Sequence, residues 1–437
     1  MNERIQRVGT KMWRRRILLL LTAVALSIST RSALADGVVR DSVGAVSSGR
    51  GGANIAHSDN GAIILSNPAA MVNIPTRRLF EFGIDSLITD LRYSDPENND
   101  RGANPYNVLP NLSYIKRTND SRFAYGIGFY VPAGFGATWD LNNPILGRNG
   151  YKPFAAVAKI LPSAAVKLND RLSIGATLGV AVSHAELESP FFLQTGILAG
   201  VPAIIDIQGT EAAPTWSLGL QYKVNDRTTV GLTYQSQTRF TLNGRGTVNA
   251  FLAPGAPPIS SRFDVQTDMA WPRSVGFGLA HDVSDNQRLS MDIEWYQWSR
   301  AFDRIDLRFS SPSNPFFAQF GPNIRDSLVL DWKDSVSVRL GYEWFLDDGD
   351  VFRVGYIHSS EVIPSSTLSP LIPATLENTF SVGYGKWKGD TRFDIAYQYA
   401  FGPTRRVGVN RIVGGDFNFS TVKAQTHWLF LGWTRFF

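Results

Sequence analysis

The 437-residue chain contains no cysteine, which excludes a disulfide-stapled scaffold and thiolate metal sites. Its five histidines, His57, His184, His281, His358 and His427, lie far apart, with no pair at helical metal-binding spacing. No G-x-S-x-G elbow or nucleotide phosphate loop occurs. The residues therefore nominate no catalytic group, no metal and no cofactor. Long apolar runs are also missing. The longest, Ile17 to Ile28, has 12 residues, well below the ~20 that a membrane-spanning helix requires.

Charge is scarce as well, and most of the excess sits in one place. The chain has 43 Lys+Arg against 38 Asp+Glu, a formal +5. Residues 1–35 hold seven of the bases and one acid, so the remainder stands at 36 against 37, or −1. The bases precede the short apolar run, and Ala33-Leu34-Ala35 follows it. That order predicts a signal peptide over residues 1–35, cleaved before Asp36. Without it, charge gives no case for a nucleic-acid partner.

What the chain does have is alternation. Leu172, Ile174, Ala176, Leu178, Val180 and Val182 fall on one face of an extended strand, and Ser173, Gly175, Thr177, Gly179, Ala181 and Ser183 on the other. The pattern recurs from Phe123 to Val131, Trp216 to Val224, Val275 to Leu279, Leu289 to Trp295, Val336 to Trp344 and Phe393 to Tyr399. Asn/Asp/Gly clusters near 119–120, 169–170, 225–226, 284–286, 347–349 and 388–390 predict six tight turns. Long segments near 94–107, 132–159, 188–211, 244–261, 300–333, 359–376 and 402–420 lie between them. Six turns alternating with seven loops give fourteen strands. The expected fold is all-β, a 14-stranded antiparallel outer-membrane β-barrel over residues 79–437, with both termini at the short-turn end. The rival is a secreted sandwich or propeller, whose second face would be rich in charge rather than small and glycine-rich. Tyr222, Trp344 and Trp387 near the turns suit an interfacial aromatic belt.

Residues 36–78 lack sustained alternation and are rich in Gly, Ala, Ser and Asn. Ile63-Ile64-Leu65 and Met71-Val72 are too apolar for a solvated tail, so the segment is expected to fill the barrel as a hatch. Within it, Ser48-Gly49-Arg50-Gly51-Gly52-Ala53, Ala56-His57-Ser58-Asp59-Asn60 and Asn67-Pro68-Ala69-Ala70-Met71 resemble the N-terminal hatch of the FadL family. The resemblance continues through Pro162 to Gly175, Met291 to Arg300, Ser337 to Phe345 and Phe352 to Tyr356, in order and with fitting spacing. That family comprises outer-membrane transporters for long-chain fatty acids and other hydrophobic compounds. The resemblance implies a 14-stranded barrel closed by a hatch containing Gly49, Gly51, Asn67 and Pro68. It also implies capture of ligand in an apolar groove between extracellular loops, and passage to an inner pocket. Exit would follow past the hatch, or through a side opening at a kink in the third strand, by passive diffusion.

The residues offer matching features. Phe191, Phe192, Leu193, Ile197 and Leu198 in the third long loop, with Phe251 and Leu252 in the fourth, make an apolar pair of loops suited to capture. They could also simply pack against each other. Pro132, Gly134 and Gly136 end the third alternating run, as a kink or as an ordinary strand end. By parity Asp292, Glu294, Arg339, Glu343, Arg353 and Asp394 face the lumen. Arg339 and Arg353 are positioned to meet a ligand carboxylate, although a charge network between wall and hatch is the commoner use. The expected function is passive uptake of hydrophobic compounds, foremost long-chain fatty acids, by a monomer in the outer membrane of a Gram-negative cell. Carriage of aromatic or aliphatic hydrocarbons, and a barrel acting in adhesion or surface structure, remain the alternatives.

Overall fold

The computed structural model describes residues 37–103, 106–194, 196–253 and 255–437. The signal peptide expected over 1–35 lies outside them. Fourteen strands form the wall: β1 Arg78–Ser94, β2 Asn107–Arg117, β3 Phe123–Gly136, β4 Gly147–Lys167, β5 Leu172–Phe192, β6 Pro202–Asn225 and β7 Thr228–Gln235, then β8 Ser274–Ser284, β9 Gln287–Tyr296, β10 Ser335–Phe345, β11 Val351–Ser359, β12 Asn378–Lys388, β13 Thr391–Phe401 and β14 Thr421–Phe436. Each pairs antiparallel with the next. β14 returns to β1 over the full length from Leu79↔Phe436 to Ser94↔Thr421, which closes the barrel. Closure leaves neither the first nor the last strand of the wall as a free edge in lipid. The six short turns fall where the Asn/Asp/Gly clusters predicted them.

Within the membrane-spanning part, the alternating face is outside. Ile174, Leu178, Val180 and Val182 of β5 are exposed, while Ser173, Thr177, Ala181 and Ser183 are buried. Above Val182 the two faces exchange chemistry. The outward positions become His184, Glu186 and Glu188, and the inward Ala185 and Leu187 join or pack on the apolar core. β6 makes the same exchange: Trp216 and Leu218 point outward in the lower part, whereas Asp206 and Gln208 do so above, with Ile205 and Ile207 inside. Lipid surrounds the lower part of these strands and water the upper part, so the apolar face must change sides at the boundary.

This exchange corrects the loop assignments. Residues 188–211 and 132–159, expected to be loops, are mostly strand, because β3 to β6 continue beyond the membrane. β5 and β6 have 21 and 24 residues, against the ~9–11 that cross a bilayer. Residues 244–261 likewise belong largely to a hairpin, Thr238–Ala250 with Ile259–Trp271, that extends β7 and β8 upward. Its inward Phe240, Leu242, Val248, Phe263 and Val265 are buried.

The described N-terminal residues form short helices at Ala45–Gly49 and Ile63–Ser66 and a 3₁₀ turn at Pro68–Asn73, joined by irregular backbone. Irregular backbone needs partners for its N–H groups, and inward carboxylates of the wall supply several. Asp292 accepts from the N–H groups of Asn54 and Ile55 at 2.7 and 2.9 Å. Glu81 accepts from that of Gly61 at 2.9 Å, and Asp85 from that of Gly44 at 3.2 Å. The small inward residues of the wall are explained by the same contact. A Cβ on Gly219, Gly276, Gly278 or Gly341 would collide with Asn67, Ile55 or Arg50. Asn67 caps the 3₁₀ turn through the N–H of Ala69 and donates to the carbonyls of Ile55 and Leu220.

Candidate functional site

The extracellular ends of the wall and its loops enclose one large apolar core, which holds Phe191, Leu193 and Leu198 together with Val362, Leu368, Leu371, Ile372, Ile412 and Phe417. Phe191, Phe192, Leu193 and Leu198 are buried, Phe251 is half-buried, and Ile197 and Leu252 are 82% and 47% exposed. Ile197 and Leu252 are therefore the members of the set that face outward. The contribution of residues 360–377 was not foreseen from sequence. Its only signal there was a run of apolar residues between prolines.

Two cavities follow one another down this side of the barrel. The upper is apolar, lined by Phe135, Pro153, Phe191, Leu242, Met269 and Leu371 among others. The lower is mixed, lined by Pro132, Ala133, Val157, Lys159 and Trp271 from the wall and by Val39 to Val43 from the N-terminal segment. Three strands contribute to both. Phe135 and Ala133 lie on β3, Ala155 and Val157 on β4, and Met269 and Trp271 on the hairpin. In each case the upper residue is two positions nearer the outside, so the chambers are stacked about 7 Å apart along the strands. Trp271 is fixed by Phe302, which stacks on Trp332 with ring centroids 4.6 Å apart.

The lower chamber abuts an irregular place in the wall. β3 pairs with β4 from Phe123↔Val166 to Tyr130↔Lys159, then resumes at Ala133↔Val157, one residue out of register. The bulge contains Pro132, which has no N–H to give to the ladder. On its other side β3 pairs with β2 only from Arg117↔Ala124 to Leu112↔Phe129. Above that point β2 stays on β1, and the described residues show no β2–β3 pairing. The N-terminal segment bonds to β3 there instead. Arg40 N–H donates to the Pro132 carbonyl at 2.9 Å, Gly134 N–H to that of Val38 at 3.0 Å, and Val39 bridges Ala133. Gly134 and Gly136 lie in strand just beyond the bulge.

The lumen-facing charges form a network. Arg353 donates to Glu343 at 3.0 Å and to Asp394 at 2.9 Å, and Arg392 donates to Asp394 at 2.7 Å. Arg339 is paired with Glu294 and donates to the Tyr296 hydroxyl. Both arginines named from sequence are thus bound to protein carboxylates. Arg50 of the N-terminal segment, which has no exposed surface, joins Glu343 at 3.2 Å to Asp59 at 2.8 Å. Gly49 and Gly51 flank it and lie against Gly383 and Gly355 of the wall. Beside this cluster His57 bonds Ser290 through Nε2 at 2.8 Å, and its Nδ1 stands 3.8 Å from Glu343. Burial first, then the Arg50 charge, pushes His57 down to about 3. Although burial raises Asp59, Arg50 outweighs it and holds that carboxyl well below its usual range.

These shifts set a pH dependence. The unfolded His57 binds a proton below about 6.5 while the packed one does not. Its contribution to packing is complete above that pH and is lost progressively as pH falls toward 3. Protease resistance of the N-terminal segment is expected to decline between pH 6.5 and 4, and His57→Gln is expected to flatten the decline. An unchanged profile in that variant would assign the loss elsewhere.

A closed wall with outward apolar faces, polar inward faces and long strands rising from one end defines an outer-membrane β-barrel. The family model described as outer membrane protein transport protein (OMPP1/FadL/TodX) matches residues 26–432, and the chain belongs to that family. Membership places it among outer-membrane transport proteins for hydrophobic compounds, not among enzymes. It is 23% identical over 425 residues to the long-chain fatty acid transport protein of Escherichia coli O6:H1, covering 86% of this chain and 92% of that protein. The toluene transporter TodX of Pseudomonas putida has a similar structure, with a TM-score of 0.76 and 20% identity over 92% of this chain and 99% of that one. A FadL homologue of Pseudomonas aeruginosa has a TM-score of 0.74 and 18% identity over 91% and 99%. At such identities the structural likeness speaks for the fold alone.

Proposed function

We propose that the protein takes up long-chain fatty acids, and related hydrophobic compounds, by passive diffusion as a monomer. Ligand enters at the apolar loop ends beside Ile197 and Leu252, moves into the upper chamber at Phe191, and descends to the lower one. Residues 36–78 act as the hatch that closes the lumen to water. Ligand leaves sideways at the Pro132 bulge or downward after the hatch rearranges. The observation that carries this reading is the stacking of the two chambers, the lower of which reaches the bulge beside the unpaired stretch between β2 and β3. The naming of several relatives as long-chain fatty acid transport proteins supports the acyl ligand. The apolar lining of the upper chamber favours a second reading, in which neutral hydrocarbons use the same route.

An uptake panel of fatty acids, alkanes and monoaromatics, in cells lacking transporters of their own, tests both. Burying a phenyl-sized side chain contributes about 1.5–3 kcal/mol, so replacing Phe191 and Phe251 by Asp is expected to reduce uptake roughly tenfold or more. Uptake unchanged in correctly inserted Phe191→Asp/Phe251→Asp would remove these residues from the route. No uptake of any of the three classes by the wild type would leave an adhesive or structural barrel.

A further inference from the structure

On the outward face of β7 to β10 the apolar surface ends at one row. Tyr234, Val275, Trp295 and Val336 lie opposite one another across these four strands. Trp216 of β6 packs on Tyr234, with ring centroids 5.1 Å apart. Aromatic side chains at the rim of an outward apolar face mark the level of the lipid head groups. The next outward positions up the wall are polar or charged: Gln237, Arg273, Gln297 and Asp334.

Four cations gather at that level. Arg273 is half-buried, and its Nε is enclosed without a hydrogen-bond partner. Arg239, two positions above Gln237, donates to the Gln237 side-chain oxygen at 3.2 Å, and Gln237 donates in turn to the Arg300 carbonyl at 3.0 Å. Arg300 and Lys333 are exposed. The turn Trp298–Arg300 is tied to the start of β10 by the Ser299 N–H, which donates to Asp334 at 3.0 Å. Among the described residues none of the four cations has a carboxylate partner. Asp303 and Asp334 stand beside them in the chain, and Arg304 pairs with Asp306 at 3.5 Å, so the patch is left positive. Elsewhere above the membrane several exposed cations are answered by carboxylates, Lys152 by Glu188 at 2.9 Å and Arg148 by Asp140 at 2.8 Å.

We infer that Arg239, Arg273, Arg300 and Lys333 hold the phosphate groups of a phosphorylated lipid in the outer leaflet, whose acyl chains lie against the row from Tyr234 to Val336. A guanidinium presents a planar fork of donors that matches phosphate oxygens. A lipid brings an apolar part and an anionic part to adjoining levels, as this face requires. A soluble anion would meet the cations and gain nothing from the apolar row beneath. The surface is on the outside of the wall and does not depend on which ligand the protein transports.

The test uses the purified full-length protein in a neutral detergent, with bound lipid counted by native mass spectrometry. The probes are bisphosphorylated lipid A and the same lipid with both phosphates removed. The wild type is expected to bind the phosphorylated form about tenfold more tightly, and excess inorganic phosphate is expected not to displace it. Arg239→Gln/Arg273→Gln/Arg300→Gln is expected to lose that preference by weakening the phosphorylated form alone. Arg239→Gln/Arg300→Gln, at two exposed positions, is expected to lose part of it and serves where the triple variant fails to fold. Arg245→Gln/Arg262→Gln, at exposed positions about 20 Å or more above Arg239 along the hairpin, is expected to keep it. Equal binding of the two forms by the wild type overturns the assignment, and so does binding of neither. A folded triple variant that keeps the preference, or that loses both forms alike, overturns it as well. Displacement by inorganic phosphate would reveal an anion site with no part for the lipid. Loss of the preference in Arg245→Gln/Arg262→Gln would take the role away from this row.

Discussion

A disulfide between Val39→Cys and Ala133→Cys is expected to reduce uptake at least tenfold, and reduction is expected to restore it. The two residues form an isolated antiparallel bridge where the N-terminal segment meets the β3 bulge. Directly opposed residues lie about 4.5–5.5 Å apart between Cα atoms, within the range that a disulfide spans. The chain has no cysteine of its own, so the engineered pair is the only thiol chemistry present. The backbone bonds at this place are few. Arg40 donates to Pro132, and Gly134 donates to Val38. The Arg40 side chain adds a bond to the Val131 carbonyl at 3.0 Å and an ion pair with Asp85 at 2.6 Å. On the proposed route, fixing it covalently would remove both the sideways exit and the freedom of residues 38–40 to withdraw from the lower chamber. Oxidised protein that transports like the reduced form would show that ligand leaves by another route. Gly134→Val is a weaker form of the same experiment. Its branched side chain would press on the backbone of Ala155 and Ala156, disturbing β4 as well as the seam.

The second large effect is expected at Arg50. Its guanidinium has no exposed surface and joins Asp59 and Glu343. It also donates to the Ala53 carbonyl at 2.9 Å. Replacing it with Met leaves the fully buried Glu343 with one arginine fewer, and removes the link between the N-terminal segment and β10. Breaking one side of a buried pair costs about 3–5 kcal/mol. The barrel itself is held by its closed ladder, so the cost should fall on the packing of residues 37–77. The expected signs are rapid proteolysis of that segment and higher ion conductance in planar bilayers, with the heat-resistant fold of the barrel retained. Arg50→Met/Glu343→Leu is expected to be milder than Arg50→Met, since no buried carboxylate then lacks its partner. Arg353 keeps Asp394 in that variant, and Asp59 is a quarter exposed. A single variant that conducts and resists protease like the wild type would mean that the network does not hold the segment.

Much of this arrangement was legible beforehand. Strand count, turn positions and the inward direction of Arg339, Glu343, Arg353 and Asp394 follow from a period of two and from where Asn, Asp and Gly cluster. That reasoning works because lipid imposes one rule on every strand, apolar outside. It failed above Val182 of β5 and beyond Trp216 of β6, where water replaces lipid and the rule reverses. A search for one continuous apolar face stops at that boundary and reads a loop. The glycine-rich inward face was ambiguous for a related reason. A small face suits a wet lumen and a crowded one equally, and the approach of Asn67, Ile55 and Arg50 to the wall decides for crowding.

By itself, then, the sequence determined the barrel, its even strand number and its direction in the membrane, because these depend on local alternation and on turns between neighbours. Only the tertiary structure decided where the chambers lie. The chambers are assembled from β3, β4, the 238–271 hairpin and residues 360–377, which are distant in the chain. Whether a charge is answered depends on partners of that same kind: Arg339 and Arg353 were open to a ligand or to a network and are paired, whereas Lys159 drew no notice and has no partner among the described residues. Ion pairing and cavity shape are long-range properties, set by which side chains the closed wall brings face to face.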